Sequence, residues 1–275
     1  MKIKYIIITR FNLDYKKIVK ENLKTDPEEW LEKRIKLFFR YCYPSILNQS
    51  DKDFEWWVFF DLQTNSHIID EIRNKDKEGL IEFKFSTWGK FRDDILFELN
   101  KISGSYDYLL NARIDSDDAI SKYNIEEVKK YFLSNIDHIP NSFVLNPLTG
   151  LVFDTDNTIL YQKKLKNNPF QVLVQKHGKV FNSVFTFQHQ TASINFPVFN
   201  ISKIPFWLMV VHETNWQNIK SGRPVLFRGK KLKRYFPNLI LPKKEISIVK
   251  FTKESLFHIK YLIRKAFDKL FSVNN

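Results

Sequence analysis

The first 133 residues alternate between two patterns of hydrophobic and polar positions. Continuous apolar runs, or strict alternation of apolar and polar residues, predict strands, and apolar residues that recur every three to four positions predict helices. The predicted order is strand, helix, strand, strand, helix, strand, helix. The strands lie at residues 4–10, 54–60, 81–85 and 106–114, and the helices begin at residue 26 and at about residues 91 and 121. This order is typical of an α/β sheet flanked by helices.

The first predicted helix has a clear beginning in the sequence. Asp26 is placed to cap it, Pro27 suits the first helical position, and Glu29 can reach back to the cap. We expect this helix to end before Pro44, because proline is unfavourable in a helix interior.

Short apolar segments, separated by Asn, Gly and Pro, fill the region from about residue 142 to residue 199. Such segments predict short strands, here at residues 143–145, 150–153, 158–162, 170–174 and 184–187. A further apolar segment, residues 204–211, leads into His212. We therefore expect a β-rich second half that packs on the same sheet.

Polar residues lie at the carboxyl ends of four predicted strands, either as the last residues of the strand or directly after it. They are Thr9 and Arg10, Asp61, residues 88–90, and residues 115–118. Strands often end in polar turns, so one such end carries little information. Four of them favour a ligand site, because ligands of open α/β sheets bind at the carboxyl ends of the strands.

Charge is distributed unevenly along the 275 residues, whose formal net charge is +13. Residues 1–219 are close to neutral at +1, whereas residues 220–275 carry +12. The positive net charge therefore comes from residues 220–275 and not from residues 1–219. The composition, 43% hydrophobic and 27% charged, argues against a disordered chain. Cys42 is the only cysteine, which excludes an internal disulfide, and it is expected to be a small core residue.

The N-terminal apolar run ends at Ile8 and is too short for the hydrophobic part of a signal peptide. No run in the sequence approaches the roughly 20 apolar residues of a membrane-spanning helix. The sequence predicts a soluble, cytoplasmic chain with at most peripheral contact to the inner face of a membrane.

The strongest candidate for chemistry is the segment Arg113-Ile114-Asp115-Ser116-Asp117-Asp118. Two carboxylates in an Asp-x-Asp pattern after an apolar strand can project into one cleft. Carboxylate oxygens suit Mg²⁺ or Mn²⁺, which is usually shared with a substrate diphosphate. The alternative is an acidic N-terminal turn of the helix that follows.

The sequence is consistent with two environments for each of two histidines. His212 ends an apolar segment and His189 lies between two glutamines; both could be hydrogen-bonded core residues or parts of a polar pocket. The sequence contains no glycine-rich dinucleotide or P-loop motif and no zinc-ligand spacing.

Several separated motifs together resemble the bacterial family named "putative rhamnosyltransferase". They are Thr9-Arg10-Phe11-Asn12, Trp30-Leu31-x-x-Arg34, Tyr43-Pro44-Ser45-Ile46, the acidic segment that begins at Arg113, and Pro205-Phe206-Trp207-Leu208 with His212 and Asn215. The match covers roughly residues 1–218. That family is in turn similar to nucleotide-sugar glycosyltransferases of the GT-A fold.

The resemblance implies an α/β, GT-A-like (Rossmann-like) mixed sheet, a β-rich acceptor half and a basic C-terminal helix. It implies one catalytic domain at 1–219, with a nucleotide-binding half at 1–120 and an acceptor half at 121–219, followed by a basic extension at 220–275.

The resemblance also implies roles for individual residues. Thr9 and Arg10 would flank the nucleotide, and Asp61 would accept the N3–H of a uracil or thymine base. Lys90 and Arg92 would face the diphosphate. Asp115 and Asp117 would hold ribose and metal, and Arg113 and Ser116 would also contact the nucleotide sugar. His212 would be a third metal ligand or a diphosphate contact.

We therefore expect a glycosyltransferase that depends on Mn²⁺ or Mg²⁺. It would move a sugar, with rhamnose as one candidate, from a UDP- or dTDP-linked donor to a glycan or lipid-linked acceptor. Three residues are candidate bases for the acceptor hydroxyl: Glu213, His189 and Asp154. The alternative is a nucleic-acid-binding protein that uses the basic C-terminal region, with phosphate contacts from Lys230, Lys231, Lys233 and Arg234 and stacking by the interleaved Phe and Tyr.

The C-terminal residues 255–271 predict an amphipathic basic helix. One face carries Leu256, Ile259, Ile263, Ala266, Phe267 and Leu270, and the flanks and the opposite side carry Lys260, Arg264, Lys265 and Lys269. A basic cluster lies upstream, at Arg228, Lys230, Lys231, Lys233 and Arg234. Such a helix suits an anionic membrane surface. The alternative is that it packs its apolar face on the domain and leaves its lysines in water.

Overall fold

The computed structural model describes residues 1–178, 181–213, 215, 221–225, 230–237, 239 and 248–271, without the side chains of 248 and 265–271. The strands within these residues are β1 (Ile3–Arg10), β2 (Glu55–Asp61), β3 (Ile81–Ser86), β4 (Tyr108–Arg113), β5 (Ala119–Ile120), β6 (Ser142–Pro147), β7 (Thr149–Asp154), β8 (Ile159–Lys164), β9 (Val172–Lys176), β10 (Val198–Ile201), β11 (Trp207–Val211) and β12 (Arg223–Val225).

The helices flank these strands. They are α1 (Tyr15–Asn22), α2 (Pro27–Leu37), α3 (Tyr43–Leu47), α4 (Ser66–Lys75), α5 (Phe91–Ser103), α6 (Asn124–Asn135), α7 (Ala192–Asn195), α8 (Lys230–Tyr235) and α9 (Ile248–Phe271). A π-helical turn, Phe38–Cys42, joins α2 to α3.

Two mixed sheets organise the residues that the structure describes. Seven strands form the larger sheet in the order β10-β6-β9-β4-β1-β2-β3, and five form the smaller one in the order β12-β8-β7-β11-β5. The neighbours β3, β2, β1 and β4 are parallel, so their carboxyl ends lie at one edge. The predicted fold class, a mixed α/β sheet flanked by helices, is confirmed.

The centre of the larger sheet is buried on both faces. Along β1, Tyr5 and Ile7 belong to one hydrophobic cluster, and Ile6 and Ile8 belong to a second cluster on the opposite face. Successive side chains of a strand point to opposite faces, so a strand that is covered on both sides reads as a continuous apolar run. This explains the apolar character of the first predicted strand.

Most predicted strands of the first half agree with the structure to within two residues at each end. The helices α1 and α4 were not predicted. In α4, the side chain of Asn65 accepts a hydrogen bond from the backbone N–H of His67 at 3.1 Å, a cap that marks the helix start.

The prediction that the first helix ends before Pro44 is confirmed, because α2 ends at Leu37, but the helical backbone continues beyond α2. The backbone N–H of Tyr43 donates to the carbonyl of Phe38, which closes a wide turn, and Pro44 then lies at the start of α3. Proline is tolerated there because the first helical N–H groups have no intrahelical acceptor.

The prediction of a strand at residues 184–187 was wrong. Val184 and Phe185 are buried, but the backbone N–H of Val184 donates to the side-chain oxygen of Asn111 at 2.8 Å, and not to a neighbouring strand. The apolar side chains of Val184 and Phe185 are buried, but the segment does not pair as a strand.

The second half does not pack on one sheet as predicted. β6, β9 and β10 extend the larger sheet, whereas β7, β8, β11 and β12 build the smaller one. The proposed division into halves at residue 120, with an extension from residue 220, stays a prediction.

Throughout the described residues, no helix combines the length and the apolar character that crossing a lipid bilayer requires.

A close approach between β7 and β11 gives a stability prediction. A Cβ atom on Gly150 would lie 2.0 Å from the Trp207 ring, which stacks on Phe170 at 5.2 Å and donates from Nε1 to the carbonyl of Pro147. The ring is held in place, so Gly150→Ala should destabilise the protein by about 3 kcal/mol in urea unfolding. Gly104→Ala is the matched control, because its Cβ would meet no atom within 4 Å. Equal unfolding midpoints would contradict this packing.

Candidate functional site

The carboxyl edge of the parallel strands borders a cavity of about 660 Å³. The last residues of β1 and β4 and the residues that follow β3 reach it, together with the segment before α7. Its lining comprises Arg10, Trp88, Gly89, Phe91, Arg92, Arg113, Phe185, Phe187, Gln188, His189 and Gln190. The structure therefore brings together Arg10, Arg92, Arg113 and His189, which lie far apart in sequence.

Arginine and aromatic side chains are paired around this cavity. The Arg10 guanidinium lies 4.7 Å from the ring centre of Trp88, and that of Arg113 lies 5.1 Å from Phe185. Of the lining residues that the structure describes, none is acidic. Burial is the main cause of a lowered pKa of Arg10. The negative charge of Asp115 opposes this shift, and the positive charges of Arg113 and Arg34 add to it. The cavity therefore suits a negatively charged ligand with a flat or apolar part.

Asp117 lies beside this cavity at the centre of a buried network. Its Oδ2 accepts hydrogen bonds from Arg34 at 2.6 Å, from His212 Nε2 at 3.0 Å and from Asn215 at 3.1 Å. Burial favours the neutral acid, but the Arg34 charge and the His212 contact outweigh it and hold the pKa of Asp117 well below its usual range. Asp117 is therefore a buried carboxylate with three donors on one oxygen.

Arg34 reaches Asp117 from α2 and packs on Trp30, 4.7 Å from its ring centre. Arg34, Trp30 and Asn215 lie within the family motifs, but the sequence does not predict what they contact. Trp30 and Arg34 are four residues apart, which places them on one helix face, but only the fold brings Asp117 to that face.

Asp118 has a structural environment different from that of its neighbour. Its Oδ1 accepts the backbone N–H of Val210 at 2.8 Å, which joins the acidic segment to β11. Burial, followed by the charges of Asp117 and Asp115, raises the pKa of Asp118 well above its usual value. Asp115 is more exposed and lies 3.4 Å from Arg113, whereas Ser116 is buried.

The three candidate bases lie in three different environments. His189 lines the cavity, and burial followed by the charge of Arg113 lowers its pKa to about 4. Asp154 is buried and accepts the backbone N–H groups of Asp156 and Asn157 in the turn after β7. Glu213 is exposed, 3.5 Å from Lys33. Only His189 of the three is among the cavity-lining residues described.

The remaining predicted site residues lie at the same edge but outside the cavity lining. Thr9 is buried, and its hydroxyl accepts the indole N–H of Trp56 at 2.9 Å. The carboxylate of Asp61 accepts the backbone N–H groups of Asp14 at 2.7 Å and Gln63 at 2.8 Å. Lys90 is exposed immediately before α5.

Within the described ranges, no group of three or more His, Cys, Asp and Glu side chains is arranged to hold a metal ion. Asp117 and His212, two of the predicted ligands, are in direct contact, and Asp115, the third predicted ligand, contacts Arg113 instead.

Comparisons with known proteins give one family and several solved structures. The model of a family described as "Putative rhamnosyl transferase" matches residues 4–224. Staphylococcus aureus TarS 1–349 in complex with UDP-GlcNAc is similar at 12% identity and a TM-score of 0.44, over 78% of this chain and 60% of that chain. A nucleotide-diphospho-sugar transferase from Desulfovibrio desulfuricans G20, described as putative, is similar at 9% identity and a TM-score of 0.37, over 78% and 84%. The chain thus spans about three fifths of the TarS 1–349 chain and 37% of the longer TarS chain. No curated protein matches the sequence.

The buried ion pair gives a second stability prediction. Arg34→Met would leave the Asp117 carboxylate buried without its compensating charge and should destabilise the protein by about 3 kcal/mol in urea unfolding. Lys33→Met is the control on the same helix, since the pairs of Lys33 with Glu29 and Glu213 are exposed and should contribute little. A similar, small effect of both variants would show that the network does not stabilise the fold.

The cavity environment of His189 gives a titration prediction. The imidazole should titrate near pH 4 by NMR, with His189→Gln used to assign its signal. Arg113→Gln should raise this pKa, because it removes a positive charge, but should leave it below the ordinary value of about 6.5 because burial remains. Arg92→Gln, at a cavity position that does not contribute to the shift, should change it less. A wild-type pKa near 6.5 would contradict this environment.

Proposed function

The chain belongs to the "Putative rhamnosyl transferase" family, and from this premise we propose that it moves a sugar from a nucleotide-diphosphate donor to a hydroxyl of a glycan or glycolipid acceptor. The observation that carries the proposal is the arginine-lined cavity at the carboxyl edge of β1, β3 and β4. Ligands of open α/β sheets bind at that edge. Rhamnose is one candidate for the sugar.

The donor diphosphate is assigned to the arginines. Arg10, Arg92 and Arg113 supply positive charge in the cavity, and the adjacent Lys90 can approach from solvent. The Nε atoms of Arg113 and Arg34 are buried without a hydrogen-bond partner in the part of the chain described. Buried donors are normally satisfied, and phosphate oxygens are acceptors that match a guanidinium. We place Asp61 at the base and Thr9, Ser116 and Asp115 towards the nucleoside, which favours UDP or dTDP.

A divalent cation fits two of the predicted ligands. Asp117 and His212, whose side chains are in direct contact, would hold it. Mg²⁺ is usually held by one or two carboxylates plus substrate phosphates, so a closed cage of protein ligands is not required. Bound there, Mg²⁺ or Mn²⁺ would neutralise the departing diphosphate. Arg34 would compete with it for the same carboxylate oxygen.

The transfer itself forms one bond and breaks another. The acceptor oxygen attacks the anomeric carbon, the bond from that carbon to the diphosphate oxygen breaks, and the acceptor proton passes to a base. We favour His189, because it lines the cavity and its lowered pKa leaves the imidazole unprotonated at pH 7. The alternative bases are Glu213, which is exposed, and Asp154, which is buried in the turn after β7.

A nucleic-acid-binding protein is the alternative function. Lys230, Lys231, Lys233 and Arg234 lie on α8 and would contact phosphates; Arg228 of the same cluster lies outside the described residues. This alternative leaves the cavity and the Asp117 network without a role.

Nucleotide binding and turnover test the proposal. UDP or dTDP with Mn²⁺ should raise the melting temperature more than GDP or ADP does, and a panel of nucleotide sugars should show metal-dependent donor hydrolysis. Asp117→Asn should lower turnover about a hundredfold, which corresponds to about 3 kcal/mol of lost transition-state stabilisation. Asp137→Asn, an exposed aspartate on a short helical turn, is the control and should have no effect.

Three outcomes would contradict the proposal. They are purine nucleotides that bind as tightly as UDP or dTDP in calorimetry, Asp117→Asn with wild-type turnover, and stabilisation by an oligonucleotide alone. The last would favour the nucleic-acid alternative.

A further inference from the structure

The C-terminal helix α9 is attached to the protein through one face. Phe251 packs against the main hydrophobic cluster, and the neighbouring Glu254, Ser255 and His258 are partly buried. At about 100° per residue these positions share one side of the helix. This side, which is not the apolar stripe of the sequence pattern, rests beside β12.

The opposite face of α9 is apolar and exposed. Val249, Leu256 and Ile263 follow one another at seven-residue intervals and form one stripe, with Phe257 and Ile259 at its sides. All five are between 51% and 78% exposed. The alternative that the helix buries its apolar face on the domain therefore fails for Leu256, Ile259 and Ile263; the side chains of Ala266, Phe267 and Leu270 lie outside those described.

Basic side chains border this apolar stripe. Lys253, Lys260 and Arg264 are exposed along one of its margins. They belong to the segment 220–275, whose net charge is +12. An apolar stripe with a margin of Lys and Arg is the pattern of helices that lie in the interface of an anionic bilayer.

We propose that the exposed face of α9 docks on an anionic lipid bilayer. Charge complementarity selects this occupant. The apolar residues would enter the acyl boundary while Lys253, Lys260 and Arg264 meet the headgroups. A second copy of the chain fits less well, because two such faces would bring like charges together. An acidic protein would satisfy the charges but would need its own apolar groove.

Hydrogen bonds link helix α9 to the edge of the smaller sheet at which His212 lies. Lys250 at the start of α9 donates to the side chain of Asn157 at 2.8 Å, in the turn after β7. In the same turn, the backbone N–H of Thr155 donates at 3.0 Å to the carbonyl of Val211, the residue before His212. Docking through α9 would therefore bring the site close to acceptors carried by the bilayer, although docking does not require that the transferase proposal be correct.

Vesicle co-sedimentation of the full chain tests the docking. We expect binding to vesicles that contain phosphatidylglycerol, little binding to phosphatidylcholine alone, and weaker binding at raised salt. Leu256→Glu with Ile263→Glu should abolish it, and Lys253→Gln with Lys260→Gln should weaken it by about tenfold or more. Ile194→Glu is the control for an added negative charge, because it places one glutamate on an exposed apolar residue outside α9.

The results separate the possible occupants. Thermal unfolding will confirm that the variants fold, which is expected because the changed side chains are exposed. Wild-type protein that does not bind anionic vesicles would overturn the proposal. So would binding that Leu256→Glu with Ile263→Glu leaves unchanged, or binding that Ile194→Glu weakens equally. A dimer in light scattering that dissociates in the Leu256/Ile263 variant, without vesicle binding, would assign the face to a second copy instead.

Discussion

The burial of one negative charge constrains the whole site. Asp117 follows β4 in the larger sheet, and its carboxylate is removed from water. A buried charge is tolerated only when it is paired and hydrogen-bonded, and here the partners come from α2 and from the segment after β11. The Arg34, His212 and Asn215 contacts therefore tie the two sheets and the helical layer together at a single oxygen. Asp118 strengthens the same junction through the backbone of Val210.

The adjacent cavity has the opposite electrostatic character. Carboxylates are concentrated in the acidic segment, whereas the described lining of the cavity carries arginines and His189. A ligand with a diphosphate would thus meet positive charge in the cavity and acidic groups at its border, an arrangement in which a cation can be shared between them. Arg34 contributes to this border as well, since its charge pairs with the Asp117 carboxylate.

The fold also relates the site to the periphery of the protein. The turn after β7 contacts both the end of β11 and the start of α9, so the two features that carry the proposals share one structural support. A docking surface that is anchored to such a turn differs from a tail on a flexible linker, because it would give the cavity a defined orientation relative to the bilayer. The docking proposal would give the basic residues Lys253, Lys260 and Arg264 a defined place along one margin of α9, which the total charge of +12 does not specify.

Sequence alone determined the elements whose signals are local. Apolar periodicity located β1 to β4, Asp26 and Pro27 marked the start of α2, and the residues after the strands indicated a site at the carboxyl edge. Tertiary structure alone decided which groups meet there. Arg34 and Asp117 are 83 positions apart, and neither the pairing of β9 between β4 and β6 nor the exposure of Leu256 is encoded in a neighbouring residue. The apolar run at 184–187 shows the reason: periodicity reports that a side chain is apolar, but the partner of each backbone and side-chain group is set by long-range packing.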